Sequence, residues 1–140
     1  MVCLGNICRS PLAQGVFEQL SPYPNYRVDS AGTANYHRGA PPDPRSITTA
    51  QQHGIAIDHQ RARHFNPQDF QDFDYIYVMD KQNLENVLPL AKYENERKKV
   101  HLLLGDTEVE DPYYGGDEGF EQVYQKIHQA CLKILSKWTP

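Results

Sequence analysis

Near its amino terminus the chain carries a cysteine, an arginine and a serine in the short segment VCLGNICRSP, residues 2–11. Cys3 ends an apolar stub, and Arg9 follows it after five further residues. Ser10 and Pro11 come next; proline favours the first position of a helix, and a serine before it can act as the cap. The segment therefore predicts a turn between a strand and a helix, with a thiol at its start and a guanidinium near its end.

A turn of this kind is suited to holding a doubly charged phosphate group. The first N–H groups of a helix have no partners within the helix, and the helix dipole favours an anion there. The same field favours the thiolate form of Cys3, which is the nucleophilic form of a cysteine. Arg9 adds a planar guanidinium that can grip two phosphate oxygens at once. The pattern predicts a thiolate nucleophile aimed at a bound phosphoryl group.

The composition is typical of a globular protein. With 140 residues, 39% hydrophobic and 23% charged, we expect a single domain over residues 1–140. The formal net charge of −4 argues against a nucleic-acid-binding protein, which would be basic. No apolar run approaches the length of a membrane span, and no secretory signal pattern is present. Three cysteines, an odd number in a chain too large to need disulfides, favour a reducing cytoplasmic location.

Hydrophobic periodicity predicts alternating strands and helices. The clearest strand covers residues 74–80, a β-rich run between acidic residues. Such alternation is typical of an α/β fold with a parallel sheet and helices on both faces. Ligands bind these sheets beyond the carboxyl ends of the strands, and Cys3 lies at such an end. Further strands are expected at residues 26–31 and 100–104, and helices at residues 11–20, 43–54, 81–88 and 119–138, with a short one opening at residues 66–67.

The strand before Cys3 is unusually short, because only Met1 and Val2 precede the cysteine. A central strand normally has about five or six residues. We therefore expect either that the first residues of the strand are missing from this sequence or that Met1 is an internal position. In both cases a sheet lacking part of a central strand would be weakened.

A second motif, Asp111-Pro112-Tyr113-Tyr114, lies near the other end of the chain. Together with CLGNICRSP it resembles the low-molecular-weight protein tyrosine phosphatases. Residues 28–33, 42–45 and 73–80 also match the family in order, so the resemblance covers almost the whole chain. It implies a three-layer α/β sandwich, with a four-stranded parallel sheet between helices, of the phosphotyrosine protein phosphatase I type.

The resemblance also implies roles for individual residues. Cys3 would be the nucleophile, Arg9 the phosphate clamp and Asp111 the general acid, while Asp43 and Asp80 are interpreted as a helix cap and a loop anchor. The reaction would be hydrolysis of protein phosphotyrosine and small aryl phosphates through a phosphocysteine, without a metal or other cofactor. The residues expected to form the phosphate cradle, support its shape or line the substrate ring are Leu4, Gly5, Asn6, Ile7, Cys8, Ser10, Tyr36, Tyr113 and Tyr114.

The cysteines other than the expected nucleophile are also explained by ordinary structural roles. Cys3 and Cys8 do not make half of a metal site, because no second pair has suitable spacing. Cys8 is either core filler or, as in some members of the family, the partner of Cys3 in a reversible disulfide; the sequence leaves both open. Cys131 lies on the apolar stripe of the last predicted helix and is interpreted as core.

Two other activities occur in proteins of the same fold and are compared with this sequence. Arsenate reductases of this type pass a disulfide to further cysteines, and none lies between Cys8 and Cys131, so this activity is rejected. Protein-arginine phosphatases resemble the family but usually carry threonine at the position of Ile7 and a smaller loop than that of Tyr113 and Tyr114. A branched apolar residue and two tyrosines suit an aryl ester better, so phosphoarginine is kept as the alternative.

The resemblance implies that the partners are phosphotyrosine-containing proteins and that the protein is a monomer. No nucleic-acid or membrane partner is expected. The alternative hypothesis in which the protein is not an enzyme is a catalytically silent module that binds phosphate or senses redox state. The intact set of Cys3, Arg9 and Asp111 argues against that module.

Overall fold

A computed structural model describes residues 1–138 as alternating strands and helices. The strands are β1 (Val2–Cys3), β2 (Ala31–Gly32), β3 (Ile76–Val78) and β4 (Val100–Leu102). The helices are α1 (Arg9–Leu20), α2 (Pro44–Gln52), α3 (Asp69–Asp72), α4 (Lys81–Val87), α5 (Glu94–Arg97) and α6 (Asp117–Lys137), with a 3-10 turn at Leu88–Leu90.

The strands form one parallel sheet in the order β2-β1-β3-β4. Val2 is in register with Ala31 on one side and with Val78 on the other, so β1 is central. Parallel strands need crossover connections, which the helices supply, and the carboxyl ends of all strands lie along one edge. Cys3, the last residue of β1, is therefore at the edge where a ligand is expected.

Side chains alternate between the two faces of the sheet, so each face supports its own core. Cys3 and Met79 belong to the core under α1, α2 and α6, three helices that pack against one another. Val2 and Val78 belong to the opposite core, which Val87 of α4 helps to close. The result is the predicted three-layer α/β architecture.

Two helices begin directly after aspartates singled out in the sequence; Asp43 is the predicted cap, whereas Asp80, interpreted from the sequence as a loop anchor, also caps a helix. The Asp43 carboxylate accepts from the amide of Arg45, and Pro44 occupies the first turn of α2. The Asp80 carboxylate accepts from the amide of Asn83, whose side chain returns the bond in a capping box at α4. Both carboxylates thereby lie close to the carboxyl edge of the sheet.

The structure corrects two details of the predicted elements. Helix α1 begins at Arg9, so Ser10 lies inside its first turn and does not cap it; its hydroxyl bonds Cys3 and Asn6 instead. The strand predicted at residues 26–31 is confined to β2, because its ladder with β1 begins where the Ala31 amide donates to the Met1 carbonyl. Within residues 1–138, no helix has both the length and the apolar character that crossing a bilayer requires.

Gly32 permits the close approach of β2 to the segment that follows Cys3. A Cβ added there would lie 2.8 Å from the Leu4 carbonyl oxygen and 3.1 Å from a backbone atom of Gly5. We expect Gly32→Ala to lower the free energy of unfolding by about 1–3 kcal/mol, because backbone must shift to relieve the contact. Urea denaturation of the two proteins measures the difference.

The matched control is Gly119→Ala in the first turn of α6. Its added Cβ would make an ordinary contact, 3.7 Å from the Pro112 side chain, and alanine favours the helix by up to about 1 kcal/mol. The control should therefore be neutral or stabilising. An equal loss of stability in both variants would contradict the close-approach explanation for Gly32.

Candidate active site

The loop of residues 4–8, here called the Cys–Arg loop, curls around the sulfur of Cys3. Asn6 has a φ of 57°, a left-handed conformation that asparagine tolerates better than most residues. This conformation turns the Asn6 amide toward Cys3, 3.3 Å from the Sγ atom. A backbone donor is thus aimed at the sulfur.

A network of side chains directs a second donor to the same sulfur. The Asn6 Oδ1 atom accepts from the Arg63 amide at 2.9 Å, which fixes the orientation of the Asn6 side chain. Its Nδ2 atom donates to the hydroxyls of Ser10, at 2.7 Å, and Ser30, at 3.0 Å. Because the Ser10 oxygen already accepts, its own proton can serve Cys3, whose Sγ atom lies 3.1 Å away. The arrangement favours negative charge on the sulfur.

The Arg9 side chain is 2% exposed and is held by one of its terminal nitrogens. Nη1 donates to Asp80 Oδ2 at 2.5 Å and to the Val109 carbonyl at 2.9 Å. Nη2 lies 3.5 Å from Asp111 Oδ2, and Nε has no hydrogen-bond partner within residues 1–138. A buried Nε without a partner is costly, and together with Nη2 it forms the edge that binds an oxyanion in bidentate fashion.

Charge on Arg9 is maintained despite its burial. Burial opposes the charged form of Arg9, but three nearby groups outweigh this effect. They are the Cys3 sulfur, Asp80 through its hydrogen bond, and Asp111, and together they raise the pKa of Arg9 above its ordinary value. The guanidinium therefore stays cationic near neutral pH. It supplies a fixed positive charge beside the sulfur.

The backbone of the Cys–Arg loop offers further donors. None of the hydrogen bonds found within residues 1–138 uses the amide of Gly5, Ile7 or Cys8 as its donor. The loop leads directly into the first turn of α1, where the helix dipole adds positive potential. Free amides, the dipole and the Arg9 edge together make an environment for a phosphate-sized anion.

Asp111 reaches this environment from the loop of residues 111–116, here called the Asp111 loop. Its Oδ1 atom accepts from the Tyr113 amide at 3.0 Å, which orients the carboxylate. Its Oδ2 atom faces Arg9, and the side chain is 36% exposed, so it can exchange protons with solvent. The fold thus brings Asp111 to Arg9, two residues that are far apart in the sequence.

The cleft above Cys3 has a volume of about 300 Å³ and an aromatic rim. Tyr36 and Tyr114 are 78% and 94% exposed, and the rings of Tyr113 and Tyr114 meet edge to face with centroids 4.9 Å apart. A flat ring entering the cleft would contact these side chains. The cleft is lined by Cys3, Leu4, Gly5, Ile7, Cys8, Arg9, Tyr36, His37, Asp111, Tyr113 and Tyr114.

Most residues singled out in the sequence meet in this cleft, and two lie elsewhere. Asn6 and Ser10 are buried behind its floor, where they contact Cys3 and do not line the cavity. His37 lines the cleft but is not in the predicted set, although its position beside Tyr36 was a usable signal. Asp80 also acts on the site, since it pairs with Arg9.

Cys3, Cys8 and Cys131 are free, buried thiols in this structure. Burial, with a smaller contribution from the charge of Asp43, raises the pKa of Cys8 to about 12, and burial likewise raises the pKa of Cys131 to about 12. Both therefore remain protonated near neutral pH. Among residues 1–138, no three His, Cys, Asp or Glu side chains are grouped so that they could hold a metal ion.

Comparison with known proteins finds relatives that match almost the whole length of this chain. A family model for low molecular weight phosphotyrosine protein phosphatases matches residues 1–139. The human low molecular weight phosphotyrosine protein phosphatase is 42% identical over 97% of this chain and 92% of its own length.

Solved structures of related proteins also match almost the whole of this chain. A protein tyrosine phosphatase from Entamoeba histolytica, with Hepes in its active site, has a TM-score of 0.91 and 36% identity, covering 97% of this chain and 92% of that one. Wzb of Vibrio vulnificus, in complex with benzylphosphonate, has a TM-score of 0.88 and 31% identity, covering 97% and 94%. With a thiol and a guanidinium at a strand end and matches along its length, this chain belongs to the low molecular weight phosphotyrosine protein phosphatase family.

Proposed function

We propose that this protein hydrolyses phosphotyrosine in proteins, and small aryl phosphates, through a phosphocysteine formed on Cys3. One observation carries the proposal: the Cys3 sulfur receives two hydrogen-bond donors at the floor of a cleft that it shares with the unpaired Nε of Arg9. A nucleophile and an anion clamp thus belong to one small cavity.

In the first step the phosphate dianion binds in the Cys–Arg loop. Its oxygens accept from the amides of Gly5, Ile7 and Cys8 and from Nε and Nη2 of Arg9, which align it and stabilise its charge. The Cys3 thiolate attacks phosphorus, and the bond from phosphorus to the phenol oxygen breaks. Asp111 gives its proton to that oxygen, because tyrosinate is a poor leaving group. The products are phosphocysteine and neutral tyrosine.

In the second step water hydrolyses the phosphocysteine. The Asp111 carboxylate, now ionised, takes a proton from the water as its oxygen attacks phosphorus. The sulfur–phosphorus bond breaks, and Cys3 leaves as a thiolate that accepts from the Ser10 hydroxyl and the Asn6 amide. Inorganic phosphate departs, and the enzyme returns to its starting state.

The shape of the cleft supports an aromatic substrate. Cys3 is 2% exposed, so a phosphate must be carried to it on a side chain long enough to reach the floor. Tyr36, Tyr113 and Tyr114 form the rim against which a phenyl ring would pack. The relative from Vibrio vulnificus binds benzylphosphonate, a phenyl ring on a phosphonate, which supports the same substrate class here.

We also infer the setting in which the protein works. Three free thiols among residues 1–138 suit a reducing compartment, and we propose the cytoplasm. A net charge of −4 gives no support to nucleic-acid binding. We propose that residues 1–140 act as one domain and as a monomer on phosphotyrosine proteins.

We expect iodoacetamide at pH 7 to alkylate Cys3 in the folded protein and to spare Cys8 and Cys131. Alkylation needs a thiolate, and with a pKa of about 12 the two spared thiols are ionised in a fraction on the order of 10⁻⁵ at this pH. Peptide mass spectrometry after quenching measures labelling at each position. Inorganic phosphate should slow labelling of Cys3, and Cys8 labelled as fast as Cys3 would contradict the assignment.

The variant Cys3→Ser should lose turnover and keep anion binding. A serine hydroxyl is not ionised at neutral pH, so hydrolysis of a phosphotyrosine peptide should fall by at least about 10³-fold. Arg9 and the loop amides remain, so calorimetry should still detect inorganic phosphate binding. Substantial hydrolysis by this variant would exclude Cys3 as the nucleophile.

The same assay tests the substrate class with the unaltered protein. Phosphotyrosine, phosphoserine and phosphoarginine peptides of one sequence are compared by kcat/KM, without added metal. Phosphotyrosine should be hydrolysed fastest. A faster reaction with phosphoarginine would replace the proposed substrate by the alternative.

The variant Asp111→Ala should slow the reaction in a way that depends on the leaving group. With phosphotyrosine, loss of the acid should lower kcat/KM by about 10²–10⁴-fold. With para-nitrophenyl phosphate, whose phenol leaves readily without a proton, the loss should be under about tenfold. Glu110→Ala, which removes the neighbouring carboxylate paired with Lys126 on the surface, is the control. Equal losses on both substrates would mean that Asp111 is not the leaving-group acid.

A further inference from the structure

The segment of residues 42–45 matches the family, yet its arginine has no role in the reaction described above. The Arg45 guanidinium lies flat against the Asp43 carboxylate, with Nε 3.0 Å from Oδ1 and Nη2 3.0 Å from Oδ2. The Arg45 amide also donates to Asp43 Oδ1 at 2.9 Å. A bidentate pair of this kind fixes both the position and the plane of the guanidinium.

The same guanidinium reaches across to the Asp111 loop. Nη2 donates to the Tyr113 carbonyl at 2.8 Å, and Nη1 donates to the Gly115 carbonyl at 3.1 Å. Its Cζ atom lies 4.5 Å from the ring centroid of Phe120, a fully buried residue of α6. Four hydrogen bonds and an aromatic surface therefore hold the group in one orientation.

The Asp43 end of this pair is attached to the Cys–Arg loop. The Asp43 amide donates to the Ile7 carbonyl at 2.8 Å, and the Ser46 hydroxyl donates to the Cys8 carbonyl at 3.2 Å. The first turn of α2 thus follows the loop that surrounds Cys3. Through Arg45, the loop around the nucleophile is joined to the loop that carries Asp111.

Few other hydrogen bonds hold the Asp111 loop. Within the described residues, the Gly115 amide bonds the Pro112 carbonyl and the Tyr113 amide bonds Asp111, and both contacts are internal to the loop. Arg45 supplies the hydrogen bonds found there between residues 112–115 and the rest of the protein.

Asp111 itself also faces Arg9 Nη2 at 3.5 Å, and Val109 is bonded to Arg9 and Met79 just before the loop. The part of the loop that follows Asp111 is therefore held against the protein by Arg45, and the carboxylate is positioned by Arg45 together with Arg9.

We propose that Arg45 is a positioning residue, which sets the Asp111 loop at the distance from Cys3 that proton transfer to the leaving group requires. The inference rests on the proposed role of Asp111 as the acid. Arg45 is one-third exposed, so its ion pair contributes little to stability by itself. Its effect is geometric, because a displacement of about 1 Å in a catalytic group can reduce rate on the order of 10²-fold.

The test is Arg45→Gln, assayed by kcat/KM, which reports all steps through cleavage of the phosphate ester. We expect a loss of about 10–100-fold with a phosphotyrosine peptide and under about threefold with para-nitrophenyl phosphate. Competitive inhibition by inorganic phosphate should be unchanged, because the Cys–Arg loop is intact. A merely structural role would lower both rates together and would weaken phosphate binding.

A double-mutant cycle gives the second readout. In an Asp111→Ala background the acid is already absent, so adding Arg45→Gln should change kcat/KM for phosphotyrosine by less than about threefold. Arg97→Gln is the matched control, since Arg97 also joins a carboxylate, that of Glu94, to a backbone carbonyl, that of Ala91, but outside the cleft. Neither rate should change in this control.

Equal losses on both substrates, or a full effect of Arg45→Gln in the Asp111→Ala background, would overturn the proposal. If Arg45→Gln has no cooperative thermal transition, Arg45→Lys replaces it in these assays. Lysine keeps the positive charge but cannot form the bidentate hydrogen bonds of the guanidinium, so the same dependence on the leaving group is expected. Failure of the proposed function is seen separately, because Asp111→Ala alone would then show no dependence on the leaving group.

Discussion

A single buried guanidinium organises this site. Water cannot balance the charge of Arg9, so the protein must, and Asp80 with the Val109 carbonyl does so through one terminal nitrogen. This arrangement leaves Nε without a partner in the described part of the chain. A buried donor in that state favours a bound oxyanion, and Cys3 lines the same cleft. The anion-binding geometry that we propose therefore follows from how one arginine is buried.

The sheet makes this pairing possible. β1 is central, so Cys3 at its end has β3 beside it, and Asp80 follows β3 after one residue. Val109 lies in the segment after β4, and its amide bonds the Met79 carbonyl at 2.8 Å. Parallel strands end at one edge, so three loops distant in sequence converge there. Arg9 connects these loops, which explains how a buried cation contributes both to the fold and to the site.

The Cys3 sulfur and the Asp111 carboxylate are positioned by different means. Cys3 is held by a dense local network, in which Asn6 takes a left-handed backbone and bonds two hydroxyls. Asp111 lies on a loop whose external hydrogen bonds come mainly from Arg45. Several hydrogen bonds thus fix the surroundings of Cys3, while the Asp111 loop is held through a cation that is itself partly exposed.

The amino-acid sequence by itself determined the alternation of strands and helices through its hydrophobic period. It determined the family, and with it the expected roles of Cys3, Arg9 and Asp111, through motifs that resemble that family. The sequence placed Ser10 beside Cys3 through its resemblance to the family, but it wrongly predicted Ser10 as the cap of α1, because the hydroxyl bonds Cys3 and Asn6. It did not reveal His37 in the cleft or the pairing of Arg9 with Asp80. Those contacts join residues from different elements, and only the packing of the sheet and helices brings them within bonding distance.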